Sequence, residues 1–215
     1  MLTPIQESVF VLSALKNTFE PALKTFKRYI DDDDVKFLLQ NKMLVDLYSF
    51  QEEWARLNAL CVTNPEVVLT RKICEPALTR LHKWGGIRDF RNKVLAHGYR
   101  EELKVNGGGK INAPADLKKW YFDADVPNAY AEVLLLAEMA YFCMAIFIIR
   151  HGDCTKDIDF NHKEEVAPKG IDTTQEFDAE MLGFMRHIST LDDSIASSWQ
   201  GYTTLTEIVS KKRNG

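Results

Sequence analysis

The sequence predicts an all-helical bundle of four to six helices with a helical C-terminal extension. Apolar residues recur at three- and four-residue spacing along most of the chain, and no stretch alternates apolar and polar residues at the period of a strand. One run, Val133 to Ile149, is apolar nearly all round, as the central helix of a bundle is. The chain has 215 residues, enough for one full core with an appendage.

The first helical pattern runs through Val9, Leu12, Leu15 and Phe19, then Leu23, Phe26 and Tyr29, with Pro21 predicting a kink or break. Asp31 to Asp34 follow, and their last residues suit the N-terminus of the next helix, where negative charge meets the positive end of the dipole. That helix is expected from about Val35 to Cys61, and Pro65 opens another through Val68, Ile73 and Leu78. Gly85-Gly86 predicts an interruption before the segment 87–97. Residues 98–117 are polar and glycine-rich and read as a loop; Gly107-Gly108-Gly109-Lys110 lacks the leading Gly of a phosphate-binding loop, and Ile111 stands where Ser or Thr would hold magnesium. After the apolar helix, residues 153–172 mix charge with Gly and Pro and read as a linker. His151, Cys154 and His162 have no metal-site spacing and are taken as loop residues. Phe177, Met181, Phe184, Met185, Ile188 and Leu191 restore an amphipathic helix, and a last one is expected from Ser194 to Lys211. The domains so drawn are a bundle over 1–152, a linker over 153–172 and an extension over 173–215 that packs on the bundle.

Composition narrows the function classes. Cys61, Cys74, Cys143 and Cys154 form no CxxC pair and lie in apolar or helical segments, which suits reduced core thiols in a cytoplasmic protein. The first residues carry no basic segment before an apolar run, so neither a secretory signal nor a lipid anchor is expected. Val133–Ile149 is short for a membrane span and is interrupted by Glu138, so no membrane association is expected. A net charge of −4 speaks against coating nucleic acid indiscriminately. Residues 80–100, however, hold Arg80, Lys83, Arg88, Arg91, Lys93 and Arg100 against the single acid Asp89, a local sum of +5 that suits a phosphate-bearing target in a narrow cleft.

Within that patch stands Arg91-Asn92-Lys93-Val94-Leu95-Ala96-His97-Gly98. On a helical wheel with Ile87 at zero, Phe90, Arg91, Val94 and His97 fall at about 300°, 40°, 340° and 280°. Arg91 and His97 thus flank an apolar stripe, whereas Arg88, Asp89, Asn92 and Lys93 fall on the solvated half. Gly98 suits a helix stop, which places the His97 ring near free carbonyls and favours its imidazolium. An inward Arg requires a carboxylate partner or a wet cleft.

The order Arg, Asn, four further residues, His, late in a helix of an all-helical chain, resembles the HEPN family, whose RNase-type members carry Arg-x(4–6)-His with a polar residue after the Arg. The sequence match is confined to residues 85–100, and the wider likeness is one of architecture, over about residues 5–150. The resemblance implies a two-fold homodimer whose two motifs line one cleft, and metal-independent cleavage of RNA with no cofactor. It implies His97 as the base on the ribose 2′-hydroxyl and Arg91 as the stabiliser of the phosphorane, with Asn92 orienting the phosphate or the His. Arg88, Lys93 and Arg100 would contact the RNA. Toxin or phage-defence biology, and restraint by a nucleotidyltransferase-type antitoxin, are further implications of the likeness.

Two other readings stand beside it. One is a non-catalytic HEPN-like module that binds nucleotide, RNA or protein. The other is an unrelated helical dimer in which Arg91 is a structural residue paired with a buried acid and no cleft opens at the motif.

Overall fold

The computed structural model describes residues 2–92, 100–104, 108–114, 124–158, 169–192, 194 and 201–213, with the backbone alone at 100–104 and 110–114. The chain divides into two compact units, Met1–Asp159 and Phe160–Gly215.

The first unit is built on four long helices. Helix α1, Pro4–Arg28, starts in a capping box: the Thr3 hydroxyl accepts from the Gln6 N–H, and Gln6 Oε1 accepts from the Thr3 N–H at 2.8 Å. Pro21 lies inside this helix, which runs on to Arg28 instead of breaking there. Helix α2, Asp33–Leu60, is capped by Asp32, whose carboxylate accepts from the Val35 N–H at 3.0 Å; the cap comes from the acidic run, but from its second residue instead of its last ones, so Asp33 and Asp34 form the first turn. Helix α3, Pro65–Leu81, is capped by Asn64 and has Pro65 in its first turn. A single turn, α4, spans Ile87–Phe90, and the chain continues through a wider, π-type turn at Arg91 and Asn92. Helix α5, Tyr130–His151, extends into a tighter helical turn at Gly152–Thr155.

Helix α5 is the element around which α1, α2 and α3 pack. Its Val133, Leu136, Ala140, Met144 and Phe147 are fully buried against Leu12, Phe19 and Phe26 of α1 and Leu44, Leu47 and Leu57 of α2. Each such large side chain contributes about 1.5–3 kcal/mol by leaving water. By length and composition alone α5 and its extension are apolar enough to cross a membrane, with mean hydropathy 2.1. In the fold one face of α5 lies in the bundle's core, and the extension has no buried residue. The polar groups of α5 are answered by neighbours: Glu132 by Arg80, Glu138 by Lys27, and Arg150 by Glu66 at 2.6 Å. Leu135, Phe142 and Ile149 leave an exposed apolar stripe seven residues apart on its outer side.

Helical character is thus as expected, with one addition. Arg100–Lys104 (β1) and Lys110–Pro114 (β2) form an antiparallel hairpin with Leu103 opposite Ile111, inside the segment read from sequence as loop. Gly108 takes φ of 85° in the turn, a conformation that glycine adopts without steric cost.

Three boundaries differ from the sequence reading. Residues 153–155 belong to the first unit, where Gln6 Nε2 donates to the Cys154 carbonyl at 2.8 Å. His151 is the buried last residue of α5 instead of a loop residue, and Cys154 is exposed instead of a core thiol. In the second unit, α6 spans Thr174–Leu191 behind a Thr173–Glu176 capping box. The last helix, α7, begins at Leu205 rather than Ser194, because the Asp178 carboxylate accepts from the Leu205 and Thr206 N–H groups at 2.7 and 3.0 Å. His162 lies outside the described residues.

Candidate functional site

The motif segment is aimed by a glycine corner. Helix α3 ends at Leu81, and the Gly85 and Gly86 N–H groups donate to the Asp125 side chain at 2.9 Å and to the Asp125 carbonyl at 2.8 Å. Gly86 has an ordinary φ, so its requirement is space: a Cβ there would lie 2.7 Å from the Asp125 carbonyl oxygen. The predicted interruption is therefore a real corner, and α4 starts from it with Ile87 and Phe90 buried to 0% exposure.

On the other side of the corner, Trp84 Nε1 donates to Glu132 Oε1 at 3.1 Å, and Arg80 grips the same carboxylate through Nε at 3.0 Å and a second, shorter bond. The Arg80 guanidinium, with Trp84 assisting, holds the Glu132 carboxyl below the usual range against its partial burial. Arg80 is thus a structural member of the basic segment and not a free cation.

Arg91 does not face inward. It is exposed, and its Nη1 donates to Asn92 Oδ1 at 2.9 Å while the guanidinium lies over the Tyr48 ring, 5.4 Å from its centre. The wheel assumes that one regular helix carries the segment, whereas α4 ends at Phe90 and the next turn is wider. Arg88 also differs from expectation. It lies beside Tyr48 with Arg91, since residues three apart share a helix face, instead of on the opposite half. Among the described residues neither arginine is ion-paired with a carboxylate.

Arg88 lines a cleft of 410 Å³ together with Tyr48, Glu52 and Arg56 of α2 and with His82 and Trp84 at the corner, and Arg91 neighbours it through the Tyr48 ring that it covers. The Tyr48 hydroxyl donates to Glu52 Oε1 at 2.6 Å, which raises the phenol's pKa, burial adding to the rise and the Arg88 and Arg91 charges opposing it. Arg56 reaches Glu53 at 3.5 Å, and Glu53 accepts from the buried Ser8 hydroxyl at 2.8 Å. The arrangement offers two guanidiniums for an anion, an indole fixed at its nitrogen, and a carboxylate held by a phenol.

Of the residues singled out from sequence, Arg91, Asn92 and Arg88 come together here. His97 and Lys93 lie outside the described residues, and Arg100 is described only as the first residue of β1. Tyr48, Glu52, His82 and Trp84 escape a reading of the motif alone. The available signal was the Tyr48–Glu52 spacing of four on α2 and the His82-x-Trp84 placement just past the end of α3.

Fold and site together define a helical bundle with an arginine- and aromatic-lined cleft at a glycine corner. No family model, curated protein or solved structure matches the chain significantly.

Proposed function

We propose that the protein is a metal-independent endoribonuclease of HEPN type. The observation that carries this reading is the state of Arg91: exposed, oriented by Asn92 and by the ring of Tyr48, a residue that lines the cleft, and without a carboxylate partner among the described residues. A structural arginine would be neutralised by an acid, as Arg80 is by Glu132. An arginine that awaits a phosphate stays open and oriented.

In this reading His97 takes the proton of the ribose 2′-hydroxyl, whose oxygen attacks the adjacent phosphorus. The 5′-oxygen leaves and takes a proton, supplied in a two-fold homodimer by the imidazolium of the second copy. The products are a 2′,3′-cyclic phosphate and a 5′-hydroxyl. Arg91 offsets the charge of the phosphorane. Asn92, already bonded to Arg91, orients that guanidinium, and Arg88, Lys93 and Arg100 hold neighbouring phosphates. Residues 1–152 would be the HEPN-like unit and 173–215 its extension. A cytoplasmic toxin or phage-defence role, restrained by a nucleotidyltransferase-type antitoxin, follows from the same resemblance.

The test is incubation of purified wild-type and His97→Ala protein with total RNA in excess EDTA, followed by end-group analysis. Cyclic-phosphate ends made by the wild type alone are the expected result. Absence of cleavage by either protein would leave the second reading, a non-catalytic module that binds RNA or nucleotide, which the cleft itself favours.

A further inference from the structure

The cleft beside Arg91 has polar groups that phosphate binding does not use. Its volume of 410 Å³ falls within the range of roughly 300–1,000 Å³ typical of small-molecule sites. Trp84 lines it, and because the indole nitrogen is committed to Glu132, the ring is fixed as a surface on which a base can stack. Glu52, exposed in the same cleft, is held by the Tyr48 hydroxyl at one oxygen, which leaves most of its lone-pair sites open. A carboxylate only accepts hydrogen bonds. Among the four RNA bases, guanine alone presents two adjacent donors on its Watson–Crick edge, N1–H and the N2 amino group. Adenine and cytosine set a ring acceptor beside their amino donor, and uracil flanks its one donor with carbonyls, so each meets a carboxylate with repulsion.

We infer that this cleft is a guanine-nucleotide subsite, in which Glu52 accepts from N1–H and the N2 amino group, Trp84 stacks on the base, and Arg88 with Arg91 holds the adjacent phosphate. The inference rests on the reading of Arg91 as a phosphate ligand, and it deepens that reading by naming the nucleotide that borders the scissile phosphate. It does not require that anything be cut. The pre-formed Tyr48–Glu52 bond gives the specificity group its orientation before the ligand arrives, so less ordering is left for binding.

The test is calorimetric titration of full-length His97→Ala protein, chosen to prevent turnover. The probes are guanosine monophosphate, adenosine monophosphate, and a short uridine RNA with or without one central guanosine. The guanine-bearing probe of each pair should bind roughly tenfold or more tightly. Glu52→Gln, which keeps an acceptor for Tyr48 but places an amino group in the cleft, should erase that preference. Arg88→Ala should weaken all nucleotides alike while leaving the preference intact. A preference seen with the RNA but not with the mononucleotide assigns the site to a guanosine within a chain; equal preference in both assigns it to any guanine nucleotide. Equal binding of guanine and adenine probes, absence of binding by all probes, or a preference that survives Glu52→Gln would overturn the inference. The two readings fail separately. Cleavage by the wild type with no guanine preference removes only the subsite, and guanine-selective binding without cleavage removes only the ribonuclease.

Discussion

The Arg91 guanidinium lies 5.4 Å from the centre of the Tyr48 ring, and the hydroxyl of the same ring donates to Glu52 at 2.6 Å. One side chain of α2 therefore supports the cation with its face and an acid with its edge. Tyr48→Phe retains the platform and removes only the tie to Glu52. Tyr48→Leu keeps much of the volume but removes the π face. Under the ribonuclease reading Tyr48→Phe should leave cleavage of a guanine-free RNA near the wild-type rate, and Tyr48→Leu should lower it roughly 2- to 30-fold, the span of a cation–π contact from exposed to desolvated. Single-turnover rates on a short oligonucleotide would measure both.

Arg91→Ala separates a functional from a structural arginine. The side chain is exposed and pairs with no acid among the described residues, so its loss leaves no orphaned buried charge. Stability should change by no more than about 0.5 kcal/mol, as for surface substitutions generally. Cleavage should fall by about 10²–10³-fold, the usual effect of removing one donor to a developing oxyanion. Urea denaturation followed alongside the rate decides the matter: a large loss of stability would identify Arg91 as a structural residue.

The helices were legible in the sequence because their burial is one-sided or complete. Leu12, Phe19 and Phe26 mark the inner face of α1 by spacing alone, the acidic run and Pro65 mark starts to within two residues, and the nearly continuous apolar run of α5 marks the centre. The hairpin was not legible. Arg-Glu-Glu-Leu-Lys and Lys-Ile-Asn-Ala-Pro carry one or two apolar residues each, so no period-two signal exists. The start of α7 was hidden for another reason: Asp178, far away in sequence, supplies the acceptor for its first N–H groups. At the site, the motif drew attention to Arg91 and Asn92, but the exposure of Arg91 depends on a helix that starts at the Gly86–Asp125 contact and ends after one turn at Phe90, and neither boundary is written in the motif itself. Tyr48 and Glu52 reach the site only through tertiary packing of α2 against α4.

His151 should make stability depend on pH. Its ring is buried against Phe147, with centroids 4.6 Å apart, and its Nε2 lies 2.8 Å from the Thr70 hydroxyl. Thr70 gives its one proton to the Glu66 carbonyl at 2.8 Å and accepts from Arg150 Nε at 2.9 Å, so its remaining lone pair takes the Nε2–H of a neutral imidazole. Burial, and next the Arg150 charge, hold the His151 pKa below its ordinary 6.5, with Glu66 opposing. The unfolded chain therefore binds a proton that the native state refuses. The contribution is full above about 6.5 and is lost as the pH falls through that value toward the lower native one. Denaturant midpoints should drop between pH 7.5 and 5, and His151→Phe should flatten that part of the profile. An unchanged slope in the variant would assign the dependence to other groups.

Gly86→Ala tests the corner that aims the motif. A methyl group at Gly86 would lie 2.7 Å from the Asp125 oxygen and 2.8 Å from its carbonyl carbon and nitrogen, and these are backbone atoms with no rotamer to escape into. At Gly85 the nearest atom is the Asp125 side-chain oxygen at 3.2 Å, which can swing away. Gly86→Ala should therefore destabilise the protein by about 1–3 kcal/mol, the usual cost of overpacking, and Gly85→Ala by distinctly less. The same insertion pushes α4 away from residues 124–126, and Arg91 moves with it relative to Tyr48. Gly86→Ala should thus slow cleavage at temperatures where the variant is still folded, because a shift of about 1 Å in a charge-stabilising group is felt strongly at a transition state. Circular dichroism melts and rates measured well below the melting point separate the two effects. Equal, small losses of stability in the two alanine variants would show that the close approach to Asp125 is not what fixes the corner.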